Sequence, residues 1–270
     1  MALSEAGYIS STVDHSLFRK TGPSGSSFVL VYVDDLLITG DDIIEITSLK
    51  QHLHRQFQIK DLGDLRYFLG VEVAKTDRGI FLCQRKYTLD ILADMGMTAC
   101  RPAHTPMEQH LKLNPDDGEF LPNPSTYRCL IGRLIYLNFT RPDISYSVQV
   151  LSQFMHAPRR PHLDAALHIL RYLKTTPGHG IFLSAQSSLQ LRAYADSDWA
   201  SCPFTRCSTT GYCILLGDSP ISWRSKKQST LSLLAESSIV PWCMLPEIQW
   251  PLYLLIDLRI PHHPPGATSL

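Results

Sequence analysis

The run Phe-Val-Leu-Val-Tyr-Val-Asp-Asp-Leu-Leu-Ile-Thr-Gly, Phe28 to Gly40, is apolar except for two adjacent carboxylates, Asp34 and Asp35. Residues rich in Val, Phe and Tyr read as one buried strand, Leu36 to Thr39 as a second, and the acid pair falls at the turn between them. A hairpin of this kind points two carboxylates at one spot. Like charges held together repel and invite a hard divalent cation, and Mg²⁺ accepts one or two carboxylates alongside substrate phosphates. A two-metal, in-line displacement at phosphorus needs that arrangement. The plain alternative is that Asp-Asp is simply good turn chemistry, and the dipeptide alone favours it.

Length and composition fit a packed, two-domain chain. There are 270 residues, 44% of them apolar, and the 25 basic and 25 acidic side chains cancel. No global field draws in nucleic acid, so any such binding must be local. Seven cysteines (83, 100, 129, 202, 207, 213 and 243) form no C-x-x-C pair. They read as reduced thiols that pack, not as zinc ligands. No apolar run approaches membrane-span length, and Met1 to Ser16 is too polar for a signal segment. The expected location is intracellular, cytoplasmic or nuclear.

Along the chain, Leu49, Leu53 and Phe57 stand at i, i+4 and i+8, a helical stripe over 47–57 that can cover a sheet. Tyr67 to Val73 and Gly79 to Leu82 flank Thr76-Asp77-Arg78 as a hairpin, and a short helix follows at 87–95. Five prolines between residues 101 and 124 mark a linker. Three helices are expected at about 125–138, 142–155 and 161–174, then strands at 189–195, 209–216 and 220–223 forming an antiparallel meander. Internal repeats and low-complexity tracts are not evident. The chain therefore reads as α+β, with four segments: 1–100, the linker 101–124, helices 125–180, and a mixed sheet 181–270. Arg159, Arg160, Arg171 and Lys174 carry one basic helix face, and Arg224, Lys226 and Lys227 a smaller cluster. Each is either a phosphate-contacting surface or an ordinary solvated face.

Tyr32-Val33-Asp34-Asp35 in its apolar run resembles the polymerase signature of copia-type LTR retrotransposon reverse transcriptases. The likeness continues through Lys60-Asp61-Leu62-Gly63, Tyr67-Phe68-Leu69-Gly70-Val71-Glu72-Val73, Gly132-Arg133-Leu134-Ile135-Tyr136-Leu137, Thr140-Arg141-Pro142-Asp143-Ile144, Leu151-Ser152-Gln153-Phe154-Met155, Tyr194-Ala195-Asp196-Ser197-Asp198-Trp199 and Ser222-Trp223-Arg224-Ser225-Lys226-Lys227-Gln228. Eight phrases in order between Tyr32 and Gln228 are far more specific than one motif. The resemblance implies a partial palm and primer-gripping hairpin in 1–100, with Phe68, Leu69 and Gly70 touching the primer. It implies thumb and connection helices in 125–180 and a truncated ribonuclease H-like domain in 181–270. It also implies Mg²⁺ at Asp34, Asp35 and Asp196, a ribonuclease H acid at Glu236, and a primer–template nucleic acid as partner.

The same likeness implies incomplete sites. The family's third polymerase aspartate comes from an earlier strand than any before Asp34, and of four ribonuclease H acids only Asp196 and Glu236 match. The chain alone is therefore expected to be inactive in both reactions. The alternatives are a non-catalytic module that binds nucleic acid or protein, and a degraded gene relic. Codons for Ser238 to Trp242 can be written so that a one-nucleotide shift reads Tyr-Arg-Ala-Met, the family's continuation, so 238–246 reads as an out-of-frame island. Pro241 and Pro246 there argue against a continuous helix, at about 3 kcal/mol each in a helix interior.

Overall fold

The computed structural model describes residues 2–109, 111–198, 207–228 and 239–260, with side chains omitted for 239–246. The chain forms two compact units, 1–69 with 245–263 and 70–244 with 264–270.

In the first unit, α1 (Ala2–Glu5) leads into a meander of β1 (Ile9–Ser10), β2 (Leu17–Gly22), β3 (Gly25–Tyr32) and β4 (Asp35–Gly40), paired antiparallel in chain order. Buried residues alternate along β3, with Ser27 and Val29 fully covered, so one sheet face turns to the core and one to solvent. Helix α2 (Ile43–Phe57) starts two residues after β4, and its N-cap Asp42 accepts from the Glu45 N–H at 3.0 Å. Leu49 and Leu53 of α2 pack on Phe18 and Val29. Phe57, expected on that stripe, is instead 62% exposed. The helix ends there with Gln58 left-handed, and Ile59 takes the covering place. β5 (Tyr67–Phe68) closes this stretch.

The second unit opens with the hairpin β6 (Val71–Thr76) and β7 (Gly79–Cys83), turning at Asp77-Arg78, followed by α3 (Arg85–Asp94). The described residues of 101–123 form no helix or strand beyond an isolated bridge from Phe120 to Arg159. Then come α4 (Pro124–Leu137), a 3-10 turn (Pro142–Ile144), α5 (Ser145–Ser152) and α6 (Arg160–Thr175). Pro124 and Pro161 sit in first turns, where their missing N–H costs no helix bond. The helices bury one core: Tyr127, Leu130, Ile131 and Leu134 of α4 meet Ile169, Leu170 and Leu173 of α6. Leu163 and Leu167 only flank it. The buried stripe of α6 runs instead through Ala165, Ala166, Ile169, Leu170 and Leu173.

The next strand, β8 (Gly180–Ser184), pairs antiparallel with β7, in register Ile80↔Leu183 and Phe81↔Phe182. Both strands spell Gly-Ile-Phe-Leu, at 79–82 and 180–183. The same tetrapeptide thus stands on two strands a hundred residues apart that become neighbours. Strands β9 (Leu191–Ser197), β10 (Thr209–Leu216) and β11 (Ser219–Lys227) form the expected meander, in spatial order β11-β10-β9. This sheet is fastened to its neighbours: Ser184 N–H donates to Ser219 Oγ at 2.8 Å, and the Trp223 indole N–H to the Asn138 carbonyl at 3.0 Å.

Helix α7 (Ile239–Asp257) runs through Pro241, Pro246 and Pro251, correcting the expectation of a broken segment. Pro241 falls in its first turn, where no bond is lost, and a nearly uncharged apolar stretch favours helix over solvated coil. Among the described residues no helix is long and apolar enough to cross a membrane.

Candidate functional site

The β3–β4 turn is a tight one: Tyr32 pairs with Asp35, leaving Val33 and Asp34 as the two connecting residues. Asp34 thus occupies the turn and Asp35 opens β4. Val33 has φ 49° and is 83% exposed. A β-branched residue in the left-handed region is a strained outlier, and nothing packs on this one to stabilise it. Such strain at an exposed tip is characteristic of positions selected for geometry over stability. Both carboxylates are exposed, and neither has a hydrogen bond or ion pair among the described residues. Their oxygens are therefore open to an external ligand. No group of three or more His, Cys, Asp or Glu side chains able to hold a metal occurs among the described residues.

The segment Phe68-Leu69-Gly70 makes a sharp break between β5 and β6. Leu69 (φ 49°) and Gly70 (φ 74°) are both left-handed. A Cβ on Gly70 would stand 3.2 Å from the Tyr136 hydroxyl. Phe68 and Leu69 are half-buried and Gly70 is exposed.

The basic residues of α6 point at the proline-rich segment. Arg159 donates to the carbonyls of Pro115 (2.6 Å) and Gly118 (2.8 Å), approaches Asp116 at 3.5 Å, and lies 4.0 Å over the Phe120 ring. Arg171 donates to the Arg101 carbonyl at 2.9 Å and Lys174 to that of Cys100 at 2.6 Å. Arg160 pairs with Asp164 at 2.9 Å and is exposed. Three of the four cations singled out in the sequence therefore clasp residues 100–120 to the helix. Sequence inspection missed this, because the acceptors are main-chain carbonyls, which leave no side-chain signature.

In the last sheet, Asp196 is exposed at the end of β9 and accepts from the Ser197 N–H at 2.8 Å. Asp198 accepts from the Thr209 N–H at 2.7 Å, tying β9 to β10. Its charge, after burial, helps push the Tyr146 hydroxyl up. Lys227 reaches Gln153 Oε1 at 3.1 Å, while Arg224 and Lys226 are exposed on β11. Glu236 and Cys202 lie outside the described residues. Cysteines 83, 100, 129 and 213 are free thiols, and burial raises those of Cys83 and Cys213.

The tight hairpin thus presents two unclaimed acids inside an α+β chain, and comparison with known proteins gives the chain its family. Residues 1–109 match the family described as reverse transcriptase (RNA-dependent DNA polymerase). Over 98% of its length the chain is 44% identical to the retrovirus-related Pol polyprotein from transposon RE2 of Arabidopsis thaliana. It covers 19% of that polyprotein and 18% of the one from transposon RE1, so it spans about a fifth of their length. An uncharacterized mitochondrial protein of Arabidopsis thaliana is 42% identical over 76% of this chain and 85% of its own length. A putative transposon Ty5-1 protein of Saccharomyces cerevisiae is 31% identical over 83% and 74% respectively. The chain belongs to the reverse transcriptase family of copia-type retrotransposon Pol polyproteins.

Proposed function

We propose that the chain supplies the final part of an RNA-directed DNA polymerase and the start of its ribonuclease H-like region. In this reading the β1–β4 sheet with α2 is the end of the palm, the turn at Leu69-Gly70 with β6–β7 grips the primer, α4–α6 are thumb and connection helices, and β9–β11 begin the ribonuclease H-like sheet. The observation that carries it is the strained, exposed Val33 tip with Asp34 and Asp35 unpaired beside it.

The donor set fits part of a hard-cation shell: adjacent carboxylates, open to water, with no competing cation. Asp34 and Asp35 would hold the ion. A divalent cation bound there would neutralise phosphate charge and activate the attacking hydroxyl. What the residues themselves do is hold two negative charges on a rigid two-residue turn and keep them free of Lys and Arg. Because no third acid joins them among the described residues, the 270-residue chain alone is proposed to be inactive, the complete site requiring another carboxylate. Asp196 supports the ribonuclease H-like reading by its place at the end of β9, with the same need for further acids.

The test is primer extension on an RNA template with Mg²⁺ or Mn²⁺. The isolated chain is expected to give no product. Supplying the upstream part of a related polymerase in trans is expected to give synthesis that Asp34→Asn abolishes. Synthesis indifferent to Asp34→Asn would sink the assignment.

A further inference from the structure

A second charged feature lies on the same unit as the acid pair. Residues 1–69 carry six Lys and Arg residues, and four of them, Lys50, Arg55, Lys60 and Arg66, fall within 50–66. Three line an open cleft of about 900 Å³ between α2 and the segment after it, together with His54, Ile59 and Asp61. The chain turns sharply there because Gln58 is left-handed (φ 51°), its N–H bonding back to the His54 carbonyl. The His54 ring then meets the Ile59 carbonyl at 2.8 Å, fixing the wall.

The charges in the cleft do not cancel. Lys50 pairs with Asp61 at 2.9 Å, and the other Asp61 oxygen accepts from the Gly63 N–H at 2.9 Å. Each Asp61 oxygen therefore already has a partner. Arg55 donates its Nε only to its own helix, at the Gln51 carbonyl, and Lys60 has no partner among the described residues. Both are exposed and lack a carboxylate. The half-buried Ile59 also lines the cleft, and Lys50 and Arg55 bring aliphatic stems to it, so apolar surface adjoins the cations.

Only Asp41 and Asp42 separate β4 from α2, and the helix buries Leu49 and Leu53 in the cluster that also holds Leu36 and Ile38 of β4. The cleft and the Asp34-Asp35 turn therefore belong to one compact unit.

We propose that this cleft is a subsite for the sugar–phosphate backbone of a nucleic-acid strand, with Arg55 and Lys60 on phosphate oxygens and Ile59 under the sugar. The proposal rests on the polymerase reading for the identity of the strand, but its charge and shape are independent of Asp34 and Asp35. Its apolar lining is what separates it from a site for free phosphate.

The test uses the full chain and a fluorescein-labelled RNA–DNA duplex with a recessed 3′ end, titrated at several salt concentrations. Lys50→Gln, Arg55→Gln and Lys60→Gln together are expected to weaken binding at least tenfold at low salt. They should lower the slope of log Kd against log salt by about two to three, near one per lost phosphate contact. An unchanged slope in a variant with wild-type circular dichroism, or no duplex binding by the wild-type chain, overturns the proposal. Inorganic phosphate competing as well as the duplex at equal phosphate concentration also overturns it. Mn²⁺ broadening of Asp34 and Asp35 resonances reads the polymerase assignment separately: loss of the salt slope with broadening intact removes the cleft alone, and the converse removes the metal reading alone.

Discussion

The backbone N–H of Arg159 donates to Nδ1 of His162 at 3.0 Å, which leaves that ring nitrogen without a proton. Nε2 then carries the hydrogen and meets the Asn114 carbonyl at 2.9 Å, while the ring stacks 3.9 Å from that of Phe154. A protonated ring would turn a second N–H against the Arg159 donor. Burial holds the His162 pKa below its ordinary value, and the Arg159 charge adds to that, against the opposing pull of Asn114 and Asp117. With the folded pKa below the unfolded 6.5, the unfolded chain takes up the proton first. The contribution to stability is complete above about pH 6.5 and is lost as pH falls through the folded value. Urea midpoints of wild type and His162→Gln between pH 5 and 8 check this. The wild-type midpoint should drop on the acid side and the variant's drop should be smaller; parallel curves would show that His162 is not the titrating group.

Arg159 and Arg160 are neighbours in sequence with different work. Arg159→Ala removes two hydrogen bonds to the linker and the stack on Phe120, and is expected to cost about 1–3 kcal/mol. It should also expose 101–121 to protease. Arg160→Ala removes one exposed helical pair and should stay within about 0.5 kcal/mol. Equal effects from the two would mean that the clasp contributes nothing.

Two glycines should respond to alanine with opposite signs. A Cβ on Gly180 would overlap the Leu82 carbonyl oxygen and press on Cys83 Cβ, where β8 meets β7. Relief requires moving backbone, so Gly180→Ala should destabilise by about 1–3 kcal/mol. Gly132 lies inside α4 with nothing within 4 Å of the added carbon. Gly132→Ala should stabilise by about 0.5–1 kcal/mol. Thermal midpoints decide, and a neutral Gly180→Ala would argue that the β7–β8 register is looser than described.

What could be read in advance was mostly local. The Asp34-Asp35 turn, α3, the order of the three middle helices and the β9–β11 meander all follow from period, proline placement and residue type within a dozen positions. The misses are non-local or sterically subtle. Nothing in the neighbourhood of Ile181 says that it joins Leu82 and not the later meander; only the repeated Gly-Ile-Phe-Leu hints at it. Along α6, Ala165 and Ala166 face the core while Leu163 and Leu167 only flank it, because small side chains let helices approach closely. The strain at Val33 was invisible as well, since valine is a poor residue for a left-handed position and gives no warning of one.

That strain leads to a prediction about the site itself. Val33 is 83% exposed, so its side chain contributes almost no burial, while its φ of 49° places a β-branched residue where glycine is at ease. Strain of this kind costs about 1–3 kcal/mol. Glycine would relieve it, at the expense of extra freedom in the unfolded chain and in the turn, so the net gain from Val33→Gly should be about 0.5–2 kcal/mol. The tip would then be more stable but less fixed. Mn²⁺ affinity at Asp34 and Asp35 should fall even as the thermal midpoint rises, because two carboxylates on a looser turn spend less time converged on one ion. Calorimetry paired with Mn²⁺ relaxation titration measures both quantities on one sample. A variant no more stable than wild type would show that Val33 is not strained, and unchanged metal affinity in a stabilised variant would show that the strain does not position the acids.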